Sequence, residues 1–123
     1  PKEVEVQIYK HFDGYPSGVG VRLAEFLDEF KVVNGIGQNT YKVANGIGCL
    51  AAQLVADWKD GPGDVYLEKF SDNRGDLEYI YYVWATEGKG IWISIFDTGY
   101  GREDKCLFVG KPEKLIEKYE END

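Results

Sequence analysis

The sequence has little that would carry metal, disulfide or nucleic-acid chemistry. It holds one histidine and two cysteines, Cys49 and Cys106. Two distant cysteines build neither a disulfide framework nor a four-ligand zinc site. Both stand in apolar runs, so the expectation is a pair of buried free thiols in a reducing compartment. Basic residues are short as well: 14 Lys and Arg face 22 Asp and Glu, for a formal charge of −8. A protein that binds phosphate backbones needs a basic face, so direct nucleic-acid binding is not expected. There is no charged-then-apolar leader and no apolar run of about eighteen residues, so neither a signal peptide nor a membrane span is expected. Those absences together point to the cytoplasm.

What is abundant is aromatic. Nine Tyr, six Phe and three Trp make 15% of the 123 residues, within a hydrophobic fraction of 43%. That is enough apolar mass for one core and one domain over residues 1–123. Aromatics favour strands and also supply interface contacts. The acidic balance keeps a small protein soluble. Its charges are spread along the chain, which weighs against an acidic mimic of nucleic acid.

Residues 3–9 alternate, with Val4, Val6 and Ile8 on one face and Glu3, Glu5, Gln7 and Tyr9 on the other, as a half-buried strand does. A dense turn follows at His11-Phe12-Asp13-Gly14-Tyr15-Pro16-Ser17-Gly18, where Ser17 is placed to cap a helix. Val19, Leu23, Phe26, Leu27 and Phe30 then form one helical stripe. Residues 32–42 read as a loop, and residues 43–59 as a second helix with Val43, Ile47, Leu50, Leu54 and Trp58 inward. Its small residues Ala44, Gly48 and Ala52 would let another element approach closely. After Asp60-Gly61-Pro62-Gly63 the chain turns to strands at 64–70, 77–86, 91–97 and 105–109, joined by short Gly-rich loops. Pro112 opens a last helix with Leu115, Ile116 and Tyr119 on its apolar side. The order βααββββα predicts an α+β fold, an antiparallel sheet of about five strands with helices packed on one face.

Four short motifs suggest a function. Gly46-Ile47-Gly48-Cys49-Leu50-Ala51, with Glu68 farther on, copies the dinucleotide fingerprint, whose glycines admit a pyrophosphate to a helix start. The strand before it is poor and hairpins follow, so close helix packing accounts for it better. Asp97-Thr98-Gly99 copies the triplet of aspartic proteases, which pair two such carboxylates to share a proton. One triplet beside helices reads as a turn. Arg74-Gly75-Asp76 is a hairpin turn before it is an adhesion motif. His11 stands beside Asp13, a pairing that could act as a general base or, with further carboxylates, as a metal ligand. The structural alternative has Asp13 ordering the turn and His11 bonding to backbone. The helix start after the turn offers backbone N–H groups to an anion.

Ile8-Tyr9-Lys10-His11-Phe12-Asp13-Gly14-Tyr15-Pro16-Ser17-Gly18-Val19-Gly20 resembles the opening of a widespread family of small phage and prokaryotic proteins. In that family a strand ends in His-x-Asp-Gly-Tyr-Pro before an amphipathic helix. The resemblance extends to the small-residue helix from Ile47 to Trp58, the strand Leu77-Glu78-Tyr79-Ile80-Tyr81 and the late Phe108-Val109-Gly110. This sequence departs from the pattern in its Gly-rich loop at 99–104 and its acidic tail. The family is uncharacterised, so the resemblance implies a shared fold and no activity. It raises the weight of His11, Asp13, Gly14, Tyr15 and Pro16 as a unit, either a fold-defining corner or a binding site.

The leading expectation is a non-catalytic binding or interaction protein, an accessory of a phage or mobile element acting on a host protein or a small ligand. Its candidate contacts are His11, Asp13, Tyr15, Ser17, Tyr100 and Arg102, with no catalytic set, no metal and no cofactor. The partner expected is a protein, a further copy of the chain or an anionic small ligand. The rival is a small nucleotide-binding protein or hydrolase that uses the His11–Asp13 turn.

Overall fold

A computed structural model describes residues 7–10, 14–33, 42–68, 77–86, 90–102 and 104–120. Strand β1 (Gln7–Lys10) leads to a wide, π-type helical turn, Pro16–Gly20, which runs directly into helix α1 (Val21–Asp28). Two short strands follow, β2 (Lys31–Val33) and β3 (Val43–Asn45), and then helix α2 (Gly46–Trp58). Strands β4 (Val65–Glu68), β5 (Tyr79–Thr86), β6 (Gly90–Asp97) and β7 (Lys105–Gly110) precede helix α3 (Pro112–Tyr119).

The fold is mixed α+β, but the strands do not join one sheet. Among the described residues they form two two-stranded sheets, β1 with β4 and β2 with β3, and a three-stranded sheet in the order β5-β6-β7. The first and last are antiparallel, while β2 and β3 run parallel. This corrects the expectation of a single five-stranded sheet. The physical reason lies in residues expected to be loop and helix. Val32-Val33 and Val43-Ala44 pair with each other instead, Val32 opposite Ala44 and Val33 opposite Asn45. The second helix therefore begins at Gly46, where φ is +81°, a conformation that favours glycine.

The core lies on one side of the large sheet. Ile91, Ile93 and Ile95 of β6 are buried, and their cross-strand neighbours Ala85, Val83 and Tyr81 pack on the same side. Helices α1 and α3 pack together and both touch β6, with Leu23, Ala24, Leu27 and Leu115 buried. Ile93, Ile95 and Leu115 are fully shielded, each a burial that stabilises by roughly 1.5–3 kcal/mol. The apolar stripe expected for the first helix is the one that packs inward: Val19 and Leu27 are buried and Phe26 and Phe30 half-buried.

A second helix is drawn to this core from the side. Leu50 and Trp58 of α2 are buried, and the Arg22 guanidinium of α1 lies 4.5 Å from the Trp58 ring centroid, a cation–π contact. Gly48 and Ala52 are exposed, so the small residues of α2 do not serve close packing. Nothing lies within 4 Å of a Cβ built on Gly48.

In β7 the ladder shifts between Ile95 and Phe96, which leaves Leu107 as an extra residue. The bulge turns both Leu107 and Phe108 toward the core, out of simple alternation. It also corrects the expectation for the thiols. Cys106 falls on the outer side, opposite Phe96, and is exposed, while Cys49 is half-buried.

Candidate functional site

The proposed unit around the first turn is described from Gly14 onward; His11 and Asp13 lie outside the described residues. Tyr15 enters the turn in extended backbone, and its carbonyl accepts the N–H groups of Gly18, at 2.9 Å, and Gly20, at 3.4 Å. Pro16 fits the start of the turn, where its missing N–H is no loss. Ser17 sits inside the turn and is half-buried; the residue in capping position is Tyr15, and no side chain caps there. That corrects the role expected for Ser17. The wide turn begins two residues earlier than a helix capped by Ser17 would, so the Ser17 backbone is already helical.

The sheet holds this turn. The Tyr81 phenol donates a hydrogen bond of 2.5 Å to the Gly14 carbonyl. Burial pushes the Tyr81 phenol well above its ordinary value, with Tyr79 and Tyr119 adding to the shift. Tyr15 itself points outward, 47% exposed.

Tyr100 and Arg102 belong to a different structure, the loop between β6 and β7, and both are exposed. The loop is built from its own turn chemistry. Asp97 Oδ1 accepts the Gly99 N–H at 2.9 Å, and the Thr98 hydroxyl, fully buried, donates to the Leu77 carbonyl at 2.5 Å. Gly99, Tyr100 and Gly101 then take left-handed backbone, with φ of 59°, 59° and 91°. The Tyr100 phenol donates to Glu78 Oε1 at 3.1 Å, and that bond is the main cause that raises its pKa. Asp97-Thr98-Gly99 is therefore a satisfied turn that closes the end of the β5–β6 pair. The tyrosine-bearing halves of the candidate site are thus anchored separately, one through Tyr81 and one through Glu78.

The dinucleotide motif also meets its structural context. A strand precedes it and a helix follows, as the fingerprint asks. The next strand, β4, pairs antiparallel with β1 and not beside β3, so the βαβ unit that would hold a dinucleotide is not formed. Glu68 ends β4 opposite Gln7, in a different sheet from the Gly46 turn. In the first turns of α2, a backbone hydrogen bond with Asn45 lowers the Cys49 pKa, helped by Gln53.

Among the described residues, no group of three or more His, Cys, Asp or Glu could hold a metal ion. No described helix is long and apolar enough to cross a membrane. What sequence reasoning missed as a unit is the far side of the large sheet. Ile80 and Phe96, Tyr82 and Ser94, and Trp84 and Trp92 face each other across β5 and β6, on the side away from the helices. None of the five apolar residues in these pairs belongs to the core cluster; each is half-buried. Val109, opposite Ser94 on β7, is 56% exposed. Tyr82 meets Phe96 edge to face at 5.7 Å, and the Lys111 ammonium stands 5.7 Å from the Trp92 centroid. The signal was present in the alternation of Trp92, Ser94 and Phe96, two large aromatic rings flanking one buried serine.

The chain matches no protein-family model, no curated protein and no solved structure.

Proposed function

We propose that this chain is a non-catalytic interaction protein whose partner is another protein, and that the partner docks on the outer face of β5, β6 and β7. The observation that carries the reading is the makeup of that face. Its paired positions on β5 and β6 hold Ile80, Tyr82, Trp84, Trp92, Ser94 and Phe96, with no charged side chain in a chain of net charge −8. Large apolar patches on a protein surface mark interaction sites, and aromatics are the residues that anchor them. A partner that fits is one with an apolar ridge and an acceptor for the Lys111 ammonium at the Trp92 end. The candidate contacts Tyr100 and Arg102, exposed on the loop between β6 and β7, then serve as rim positions, while Tyr15 belongs to the turn that Tyr81 holds from the core side. The resemblance at His11 to Gly20 supports an accessory role in a phage or mobile element.

Capture of partner proteins by immobilised wild type and by a Trp92→Ser/Phe96→Ser double variant tests this. The reading expects a protein retained by the wild type and lost by the variant, with the variant still folded by circular dichroism. Equal capture by both sinks it.

A further inference from the structure

We infer that the outer edge of β5 pairs with the same strand of a second copy of this chain, joining two three-stranded sheets into one. This goes beyond the docking face, because it uses the backbone of an edge and not the side chains of the sheet face.

The two edges of the sheet are treated differently. β7 is blunted by a bulge at Leu107, by Lys105, and by the Lys118 ammonium of α3, which donates to the Leu107 carbonyl at 2.9 Å. Charges and bulges of this kind are how natural edges avoid pairing. β5 has none of these. From Tyr79 to Thr86 it carries no charge, no proline, no glycine and no register shift, only Tyr-Ile-Tyr-Tyr-Val-Trp-Ala-Thr. Among the described residues, it pairs with β6 alone.

The ladder fixes which backbone groups point away. Thr98 donates to the Glu78 carbonyl at 2.8 Å. Antiparallel pairs alternate, so Ile80, Tyr82 and Trp84 hydrogen-bond to β6 while Tyr79, Tyr81, Val83 and Ala85 turn their N–H and C=O groups outward. About a two-fold axis at Tyr82, an antiparallel copy meets all of these groups: Tyr79 falls opposite Ala85 and Tyr81 opposite Val83, each finding a backbone partner. On the outer face Ile80 falls opposite Trp84. Tyr82 meets its own copy on the axis, and the other aromatic residues meet small or branched ones, the pairs that stabilise sheets.

A second copy fits this edge better than a foreign strand. The edge has no charge with which to select a foreign partner, whereas it complements itself in size. It is also a stretch where two acidic chains can meet without placing like charges opposite each other. The remaining charge repels at long range and is screened beyond about 8 Å at physiological ionic strength, so the dimer tightens as salt is raised.

Sedimentation of the wild type and of Tyr82→Lys, from about 1 to 100 µM, is the first test. A wild-type dimer and a folded, monomeric variant are expected, since the substitution sets two ammonium groups at the two-fold axis. A wild type that stays monomeric, or a folded variant that stays dimeric, overturns the inference. Should the variant not fold, wild-type amide exchange decides. Amides of Tyr79, Tyr81, Val83 and Ala85 should slow by about tenfold or more from the low to the high concentration, while those of Ile80, Tyr82 and Trp84 stay slow throughout. Odd-numbered amides that remain fast at high concentration overturn it. Trp92 and Phe96 lie on β6, so the docking face is tested separately from this edge.

Discussion

The Tyr81 phenol and the Gly14 carbonyl are joined by a hydrogen bond of 2.5 Å, which pins the first turn to the sheet that forms late in the chain. Tyr81 is a core-side residue of β5, opposite Ile95, so its ring packs in the core while its hydroxyl reaches the turn. Replacing it with Phe keeps the ring and strips the Gly14 carbonyl of its donor. Tyr81→Phe should cost about 1–3 kcal/mol, the usual loss for leaving a poorly solvated acceptor unmet. Urea unfolding of the variant and the wild type measures it; an unchanged midpoint would remove the bond from the stability of the fold.

The same tyrosine sets a direction with pH. Its folded pKa is raised, by burial first, and an unfolded tyrosine titrates near 10. The folded state therefore keeps a proton that the unfolded chain gives up. The stability this implies is present below about pH 10 and is lost as pH rises through the folded value. Tyr79, raised by burial and by Glu78, pulls the same way. Melting temperature should fall above pH 10, and less steeply in Tyr81→Phe. Parallel slopes for the two proteins would count against it.

Gly20 makes room for that ring. A Cβ there would lie 3.3 Å from Tyr81 Cε2 and 3.5 Å from its hydroxyl oxygen. Gly20 has helical backbone, φ −57°, so alanine is strained by contact and not by conformation. Gly20→Ala should destabilise by about 1 kcal/mol through crowding. A double-mutant cycle with Tyr81→Phe should show the two to be non-additive. Additive costs would mean that the Tyr81 hydroxyl does not feel the methyl.

Where side-chain alternation alone decides structure, the sequence was readable. Ile91, Ile93 and Ile95 take one face of the strand expected at 91–97 and Trp92, Ser94 and Phe96 the other, and the helix from Pro112 emerges as expected with Leu115 innermost. The failures have a common cause. Val32-Val33 and Val43-Ala44 are too short to show a period, and their parallel pairing joins separate segments in a way that neither segment shows by itself. The bulge that exposes Cys106 is likewise a property of the ladder and not of β7 itself. At the candidate site the turn was legible from Gly14, Pro16 and Gly18, but not its anchor: nothing in Tyr81 marks it as the partner of Gly14. Ser17 looked like a cap because serine is a favoured capping residue, whereas the turn opens at Tyr15 with no side-chain cap.

Asp97 offers a sharp contrast between turn and catalyst. Its carboxylate accepts the Gly99 N–H, a bond that an amide oxygen makes equally well. Asp97→Asn should be nearly silent in stability, while Asp97→Ala should cost about 1 kcal/mol. Thr98→Val should cost more, about 1–2 kcal/mol, because it orphans the Leu77 carbonyl beside a fully buried side chain. Thermal unfolding of the three variants checks the order. A severe loss in Asp97→Asn would show that the charge itself matters there.

The two faces of β6 should respond oppositely to truncation. Ile93 is fully shielded between the sheet and the helices, so Ile93→Ala opens a cavity and should cost about 2–5 kcal/mol. Trp92, its neighbour on the other face, is half-buried, and its ring has the Lys111 ammonium nearby. Trp92→Ser should cost no more than about 1 kcal/mol, near the common range for substitutions outside the core. Such an asymmetry is what a face kept apolar for binding requires. Selection for stability alone would not place a large ring where its removal costs so little. Urea midpoints for the two variants decide the point: comparable losses would make the aromatic face a second core, and the proposal that a partner docks there would fall with it.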